Sequence, residues 1–233
     1  VPELSAVVID WGGVITQPIR DAVTDWIAAD RIDWNSYVAA VVPWLNNAYD
    51  SAVLDERPVS GDPAPQPTGP GWTANPVHAL ERGECTVAEF EELLASRLLR
   101  TDGGPVIADG LLTRMLASGQ PLPEMYEIVR ELHGRGVRTA LLSNSWGPAG
   151  YPRADFPGLF DAVVISGEVG MRKPEPEIFL HAARLLDLPP QECAFVDDIL
   201  ANVQAAVALG MTGVHHTDPA ATRDRLAELF PSP

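Results

Sequence analysis

The chain has 233 residues, which suits one domain or one domain carrying a smaller insert, and its 46 % hydrophobic and 21 % charged content excludes wholesale disorder. Lys and Arg number 16 against 32 Asp and Glu, a net charge of −16, which argues against a nucleic-acid backbone or an anionic membrane as the main partner. The two cysteines, Cys85 and Cys193, exclude a disulfide framework and offer no metal-type spacing.

The chain opens without Met, which reads as trimming, and without the basic-then-apolar start of a secretory leader. No stretch approaches the ~18 apolar residues of a membrane span, so a soluble, cytoplasmic protein with no membrane partner is expected. The first apolar run, 6–9, is short, continuous and β-branched. It ends at Asp10, and Gly12 and Gly13 then break the pattern. This reads as a buried parallel strand delivering a polar residue at its carboxyl tip.

Residues 17–120 read as helices with no convincing strand. One spans 19–29. Another spans 34–48, bent or broken near Pro43. A third spans 86–100, with Thr86 and Glu89 as a capping-box pair, and a fourth spans 109–118, closed by Gly119. Residues 55–76 hold six prolines and read as a long loop, either a mobile connection or a gating element. A helical block placed directly after the first strand is expected to form a cap over the site.

Strands and helices then alternate: helix 123–133, strand 137–142 ending in Ser143 and Asn144, strand 162–165 ending in Ser166 and Gly167, and helix 175–186. Strand 193–196 ends in Asp197 and Asp198, and helix 199–209, a weaker strand 212–215 and helix 219–230 complete the chain. This alternation predicts an α/β fold, a doubly wound parallel sheet, with 1–16 and 121–233 as the core and 17–120 as the inserted helical cap. Ligands bind such sheets at the carboxyl ends of the strands, where Asp10, Ser143, Asp197 and Asp198 are expected.

Three carboxylates converging at one edge repel each other and call for a cation, and hard oxygen ligands with open water positions favour Mg²⁺. Lys173, at the entry to a helix, adds a positive group. Gly12 and Gly13 let a phosphate-sized group approach the backbone. A metal, a lysine, a serine and a carboxylate nucleophile suit phosphoryl transfer through an aspartyl-phosphate. The histidines are expected to stay out of the site: His215 and His216 read as loop residues, His78 and His181 as helix residues.

The segments 7–16, 142–146, 167–179 and 195–203 resemble, in order, the four motifs of the haloacid dehalogenase superfamily. Within it the chain is most similar to the subfamily of the N-terminal phosphatase domain of soluble epoxide hydrolase. The resemblance implies a Rossmann-like core and a Mg²⁺-dependent phosphatase acting on a small phosphorylated molecule. Asp10 would be nucleophile and metal ligand. Asp198 would be the second carboxylate ligand, with Asp197 as direct or water-mediated support, and the Gly12 carbonyl a backbone ligand. Ser143 and Lys173 would hold the phosphoryl oxygens, and Asn144 would offer backbone N–H groups or contact the ester. Asn202 would orient the metal loop.

One position departs from the pattern. Family phosphatases usually carry a second Asp two residues after the nucleophile, as general acid and base, and here that position is Gly12. Either water or another group serves instead, or the leaving group needs little protonation, or hydrolysis is lost and the fold binds a phosphorylated ligand. Dehalogenation of a 2-haloacid, with Arg20 holding the carboxylate, is the alternative chemistry, and Asp197 with Asp198 argues against it. Trp26, Trp34, Trp44 and Trp72 read as packing within the cap or as an apolar entrance. Trp146, just past Ser143, is placed to line the site.

Overall fold

The computed structural model describes residues 3–49, 75–147 and 150–231. Strands β1 (Ala6–Ile9), β2 (Arg138–Ser143), β3 (Ala162–Ile165), β4 (Cys193–Asp197) and β5 (Thr212–His215) form one sheet in the order β3-β2-β1-β4-β5, every pairing parallel. Among the described residues, five α-helices lie between β1 and β2 ahead of a sixth: α1 (Ile19–Ala29), α2 (Trp34–Tyr49), α3 (Pro76–Glu81), α4 (Val87–Ala95) and α5 (Leu111–Met115). The others are α6 (Pro123–Gly134), α7 (Ser166–Val169), α8 (Pro176–Leu185), α9 (Leu200–Ala208) and α10 (Pro219–Leu229).

The strands are continuous apolar runs because both faces of the sheet are covered. Alternate side chains go to opposite faces. Val7, Ile9, Leu141, Ala194 and Val196 pack with Met125, Ile128 and Leu132 of α6 and Leu226 of α10. Ala6, Val8, Ala140, Leu142 and Phe195 pack with Ile178, Phe179 and Ala182 of α8 and Ala206 of α9. Helices α1–α5 enclose a core of their own, around Trp26, Tyr37, Trp44, Phe90, Leu94 and Met115. The chain leaves for these helices and returns from them side by side: Thr16 and Pro121 form an antiparallel bridge, and Gln17 N–H donates to the Gln120 carbonyl (2.9 Å).

The structure corrects several boundaries. Helix α2 runs unbroken through Pro43, because its buried face, with Tyr37, Val41 and Trp44, outweighs the one backbone donor proline lacks. The Thr86–Glu89 capping box is present, but α4 ends at Ala95; Arg100 instead pairs with Ile32 in an antiparallel bridge. The helix expected at 109–118 shortens to α5 behind Gly110, whose φ of +68° opens the turn. Pro76 is not loop but the first residue of α3, with the Asn75 side chain accepting from Val77 N–H (2.9 Å). The rest of the proline-rich stretch, and Trp72 within it, lies outside the described residues. Among the described residues no helix is long and apolar enough to cross a membrane.

Candidate active site

The chain runs from β1 to β2 and β3 on one side, then places β4 on the other side of β1. A crevice opens where the order reverses, at the carboxyl ends of β1 and β4. Asp10 follows β1, and Asp197 ends β4 with Asp198 after it. One oxygen of each can be chosen so that all three lie within 4.8 Å of one another.

Lys173 reaches this cluster from the segment before α8. It is 1 % exposed, and its Nζ lies 2.7 Å from Asp10 Oδ1 and 2.7 Å from Asp197 Oδ2. Burial works against the lysine charge, but the two carboxylates outweigh it and hold the ammonium above the ordinary lysine value. Asp10 Oδ1 also accepts the Trp11 backbone N–H (2.7 Å), so both bonds fall on one oxygen and Oδ2 carries neither. Asp197 is fully buried and committed: Oδ1 accepts from Ile199 N–H (2.8 Å) and Asn202 Nδ2 (3.1 Å), and Oδ2 from Lys173 and Asn202.

One lysine against three carboxylates leaves surplus negative charge. Burial pushes Asp10 well above the ordinary carboxylate range, with Lys173 pulling back and Asp197 and Asp198 adding to the rise. Burial and then the Asp197 charge push Asp198 up to about 6. Asp198 Oδ1 is buried without a hydrogen-bond partner among the described residues. Beside it Gly13 has φ +79°, and a Cβ there would come within 2.3 Å of Asp198 Oδ2. An orphaned carboxylate oxygen, a glycine that leaves room for that carboxylate, and uncompensated charge fit a hard divalent cation.

Ser143, ending β2, pairs its hydroxyl with Tyr151 Oη (2.9 Å), and burial raises the Tyr151 phenol to about 12. The Asn144 side chain clasps the Lys173 backbone, donating to its carbonyl (3.0 Å) and accepting its N–H (2.8 Å). Its amide is therefore engaged in positioning the lysine segment, which bears on the contact expected with an ester. Trp146 Nε1 donates to Glu81 Oε1 (3.3 Å), and Arg172 Nε donates to Glu81 Oε2 (2.6 Å). Glu81 on α3 and Arg172 beside Lys173 are 0 % and 3 % exposed, so a buried ion pair fastens the helical segment to the lysine loop. Arg82 and Glu175 add a second pair across the same seam.

Above the cluster lies a cavity of about 400 Å³ lined by Asp10, Gly12, Ser143, Asn144, Trp146, Lys173, Asp198 and Asn202 from below. Its other walls include Ile19, Arg20, Val23, Trp34, Tyr37 and Leu45 of α1 and α2, with Leu200 and His215. The expected residues thus gather at one place. His215, at the end of the strand read at 212–215, corrects the expectation that the histidines stay out of the site: it lines the cavity and places Nε2 3.0 Å from the Asp198 carbonyl oxygen. Trp26 and Trp44 are buried in the helical core, whereas Trp34 lines the cavity. Tyr151, Glu81 and Ile19 were not legible as site residues. Tyr151 follows Ser143 by eight positions, and nothing in the spacing marks it.

The family model of haloacid dehalogenase-like hydrolases matches residues 4–210. Over 113 residues the chain is 38 % identical to the sesquiterpene phosphatase astK of Aspergillus oryzae, a match covering 47 % of this chain and 58 % of that relative. The chain thus spans little more than half of that relative's length. In fold it is similar to a HAD family enzyme of Bacteroides thetaiotaomicron, with TM-score 0.66, 19 % identity, and coverage of 99 % of this chain and 100 % of the other. That enzyme has also been crystallised with magnesium and inorganic phosphate. A dehalogenase is similar at TM-score 0.62 and 18 % identity over 100 % of both chains. Fold likeness at such identities does not choose between the two chemistries.

Proposed function

The chain belongs to the haloacid dehalogenase-like hydrolases, and from that premise we propose that it is a Mg²⁺-dependent phosphatase acting on a small organic phosphate monoester through an aspartyl-phosphate on Asp10. The observation that carries this reading is the acidic cluster itself: Asp198 Oδ1 has no partner among the described residues, and Gly13 leaves room for the Asp198 carboxylate on its Oδ2 side. Asp10, Asp198 and the Gly12 carbonyl would hold the cation. Bound there, Mg²⁺ would supply positive charge toward the phosphoryl group and would favour the ionised Asp10 carboxyl.

Asp10 attacks phosphorus, and the bond from phosphorus to the ester oxygen breaks. The Lys173 ammonium, the Ser143 hydroxyl and the backbone N–H groups at Asn144 hold the phosphoryl oxygens, with Gly12 and Gly13 allowing close approach. Water then attacks the same phosphorus and restores the Asp10 carboxylate. Asp197 serves from behind, anchoring Lys173, and Asn202 anchors Asp197. No side chain at Gly12 protonates the leaving oxygen. Residues 17–120 act as the cap that excludes water during transfer, with Trp146 on the wall of the cavity below. A phosphorylated small molecule in the cytoplasm is the partner this reading requires.

Arg20 on the cavity wall favours a second reading, hydrolysis of a 2-haloacid. One assay separates them: release of phosphate from a panel of esters and of halide from 2-haloacids, each with Mg²⁺ or EDTA. Phosphate release that stops in EDTA supports the phosphatase. Halide release that persists in EDTA would replace it with the dehalogenase, and silence toward both would favour a binding role.

A further inference from the structure

Gly12 stands where the acid is missing, and its backbone does not demand glycine, since φ is −72°. A Cβ there would meet Ile19 Cδ1 at 3.0 Å and Cγ1 at 3.5 Å. Ile19, the first residue of α1, therefore crowds the room that a side chain at position 12 would enter, and its Cδ1 would have to give by a few tenths of an ångström. It is 40 % exposed, Trp34 is 53 % exposed and Leu200 42 %, and all three line the cavity that holds Asp10 and Lys173. Single exposed apolar side chains need no explanation. Three around one mouth, continuous with a charged site, mark the place for the apolar part of a ligand.

The proton donors elsewhere on the cavity wall are poor substitutes for a carboxylic acid. Burial raises the Tyr37 phenol to about 12. Thr24 is a plain hydroxyl, Arg20 keeps its protons, and the His215 Nε2 lies against the Asp198 carbonyl. We propose that Ile19 is a specificity-determining residue. It puts an apolar surface at the leaving oxygen, so the substrate is a phosphate of an apolar, acidic hydroxyl group: an aryl, enol or acyl phosphate. This rests on the phosphatase reading above. As the bond from Asp10 to phosphorus forms, the ester bond breaks and its electron pair leaves with the oxygen as an aryloxide, enolate or carboxylate. No proton moves in this step, and the aryloxide or enolate takes one from bulk water later.

The test has two arms on the full chain with Mg²⁺. In the first, kcat/KM is measured for nitrophenyl, phenyl and benzyl phosphate. A general acid contributes about 10²–10⁴-fold, so benzyl phosphate should react at least ~10²-fold more slowly than nitrophenyl phosphate. The double variant Gly12→Asp/Ile19→Ala should recover at least about tenfold on benzyl phosphate, while Gly12→Asp alone recovers less. In the second arm, n-alkyl phosphonates of increasing length bind Asp10→Asn protein, read by tryptophan fluorescence. Each methylene should tighten binding by about fourfold until the cavity is full, and Ile19→Asn should weaken that gain.

Equal rates across the three esters would overturn the leaving-group half of the proposal. So would equal rates that become steep in His215→Gln, which would move the acid to His215. Affinity independent of chain length would overturn the apolar half. No metal-dependent release from any ester would overturn the phosphatase reading together with the leaving-group half. The phosphonate arm would still decide whether the mouth is apolar.

Discussion

Lys173→Met is the perturbation that most directly probes how the acidic cluster is held together. The wild-type ammonium is buried, 2.7 Å from Asp10 and 2.7 Å from Asp197, and methionine fills most of its volume without its charge. Removing one partner of a buried ion pair typically costs about 3–5 kcal/mol. The lower end applies here, because the Asp10 carboxyl already lies well above the ordinary range and takes up a proton in response. A loss of ~3 kcal/mol in a chain of this size lowers Tm by roughly 6–12 °C. The assay is thermal unfolding of metal-free protein, wild type against variant, repeated with Mg²⁺. The cation should return a larger part of the lost Tm in the variant than it adds to wild type, because it replaces a missing positive charge. A fall under about 2 °C, with the same Mg²⁺ response in both proteins, would refute the view that Lys173 balances the carboxylates.

Three further outcomes follow from the same geometry. In metal-free protein, folded Asp198 keeps its proton up to about 6 while the unfolded chain loses it near the ordinary value of 3.8, so stability should fall as pH rises through that window. The Tm gain from Mg²⁺ should accordingly be larger at about pH 8 than at about pH 5, and an equal gain would argue against Asp198 as a ligand. Tyr151→Phe removes the hydroxyl bonded to Ser143 and should lower kcat about 2- to 10-fold with Mg²⁺ affinity unchanged, checked by titration calorimetry and steady-state kinetics. Glu81→Ala leaves Arg172 buried without its carboxylate and should destabilise by about 3–5 kcal/mol in denaturant unfolding, whereas Glu81→Gln keeps an acceptor and should lose less.

The strand ends were legible because each is a short buried run that stops abruptly at a polar residue. Asp10, Ser143 and Asp197 are where that pattern puts them, and the five strands agree with the reading to within a residue. The capping box of α4 was equally local, and it is present. What spacing did not reveal depends on tertiary contact. Pro43 suggests a break, but burial of Tyr37, Val41 and Trp44 keeps α2 whole. Glu81 pairs with Arg172 across 91 positions, and the Tyr151 hydroxyl meets that of Ser143 in a contact that no local pattern announces. Ile19 read only as the start of the helix at 19–29. Its second role, crowding the space at Gly12, shows only in the tertiary contact, with Cδ1 3.0 Å from where a Cβ would stand. His215 was set aside as a loop residue, yet its pairing with Asp197 across β4 and β5 carries it to the cavity.

A covalent phosphoryl group on Asp10 is the intermediate on which the proposed chemistry depends. The measurement is intact-protein and peptide mass spectrometry on enzyme quenched with acid during turnover of nitrophenyl phosphate. With no base at Gly12 to activate water, the aspartyl-phosphate should accumulate and release an initial burst of nitrophenol close to one equivalent. The added phosphoryl mass should map to the peptide holding Asp10, and it should vanish in EDTA and in Asp10→Asn. Steady Mg²⁺-dependent phosphate release with no burst and no adduct on that peptide, undiminished in Asp10→Asn, would contradict the account.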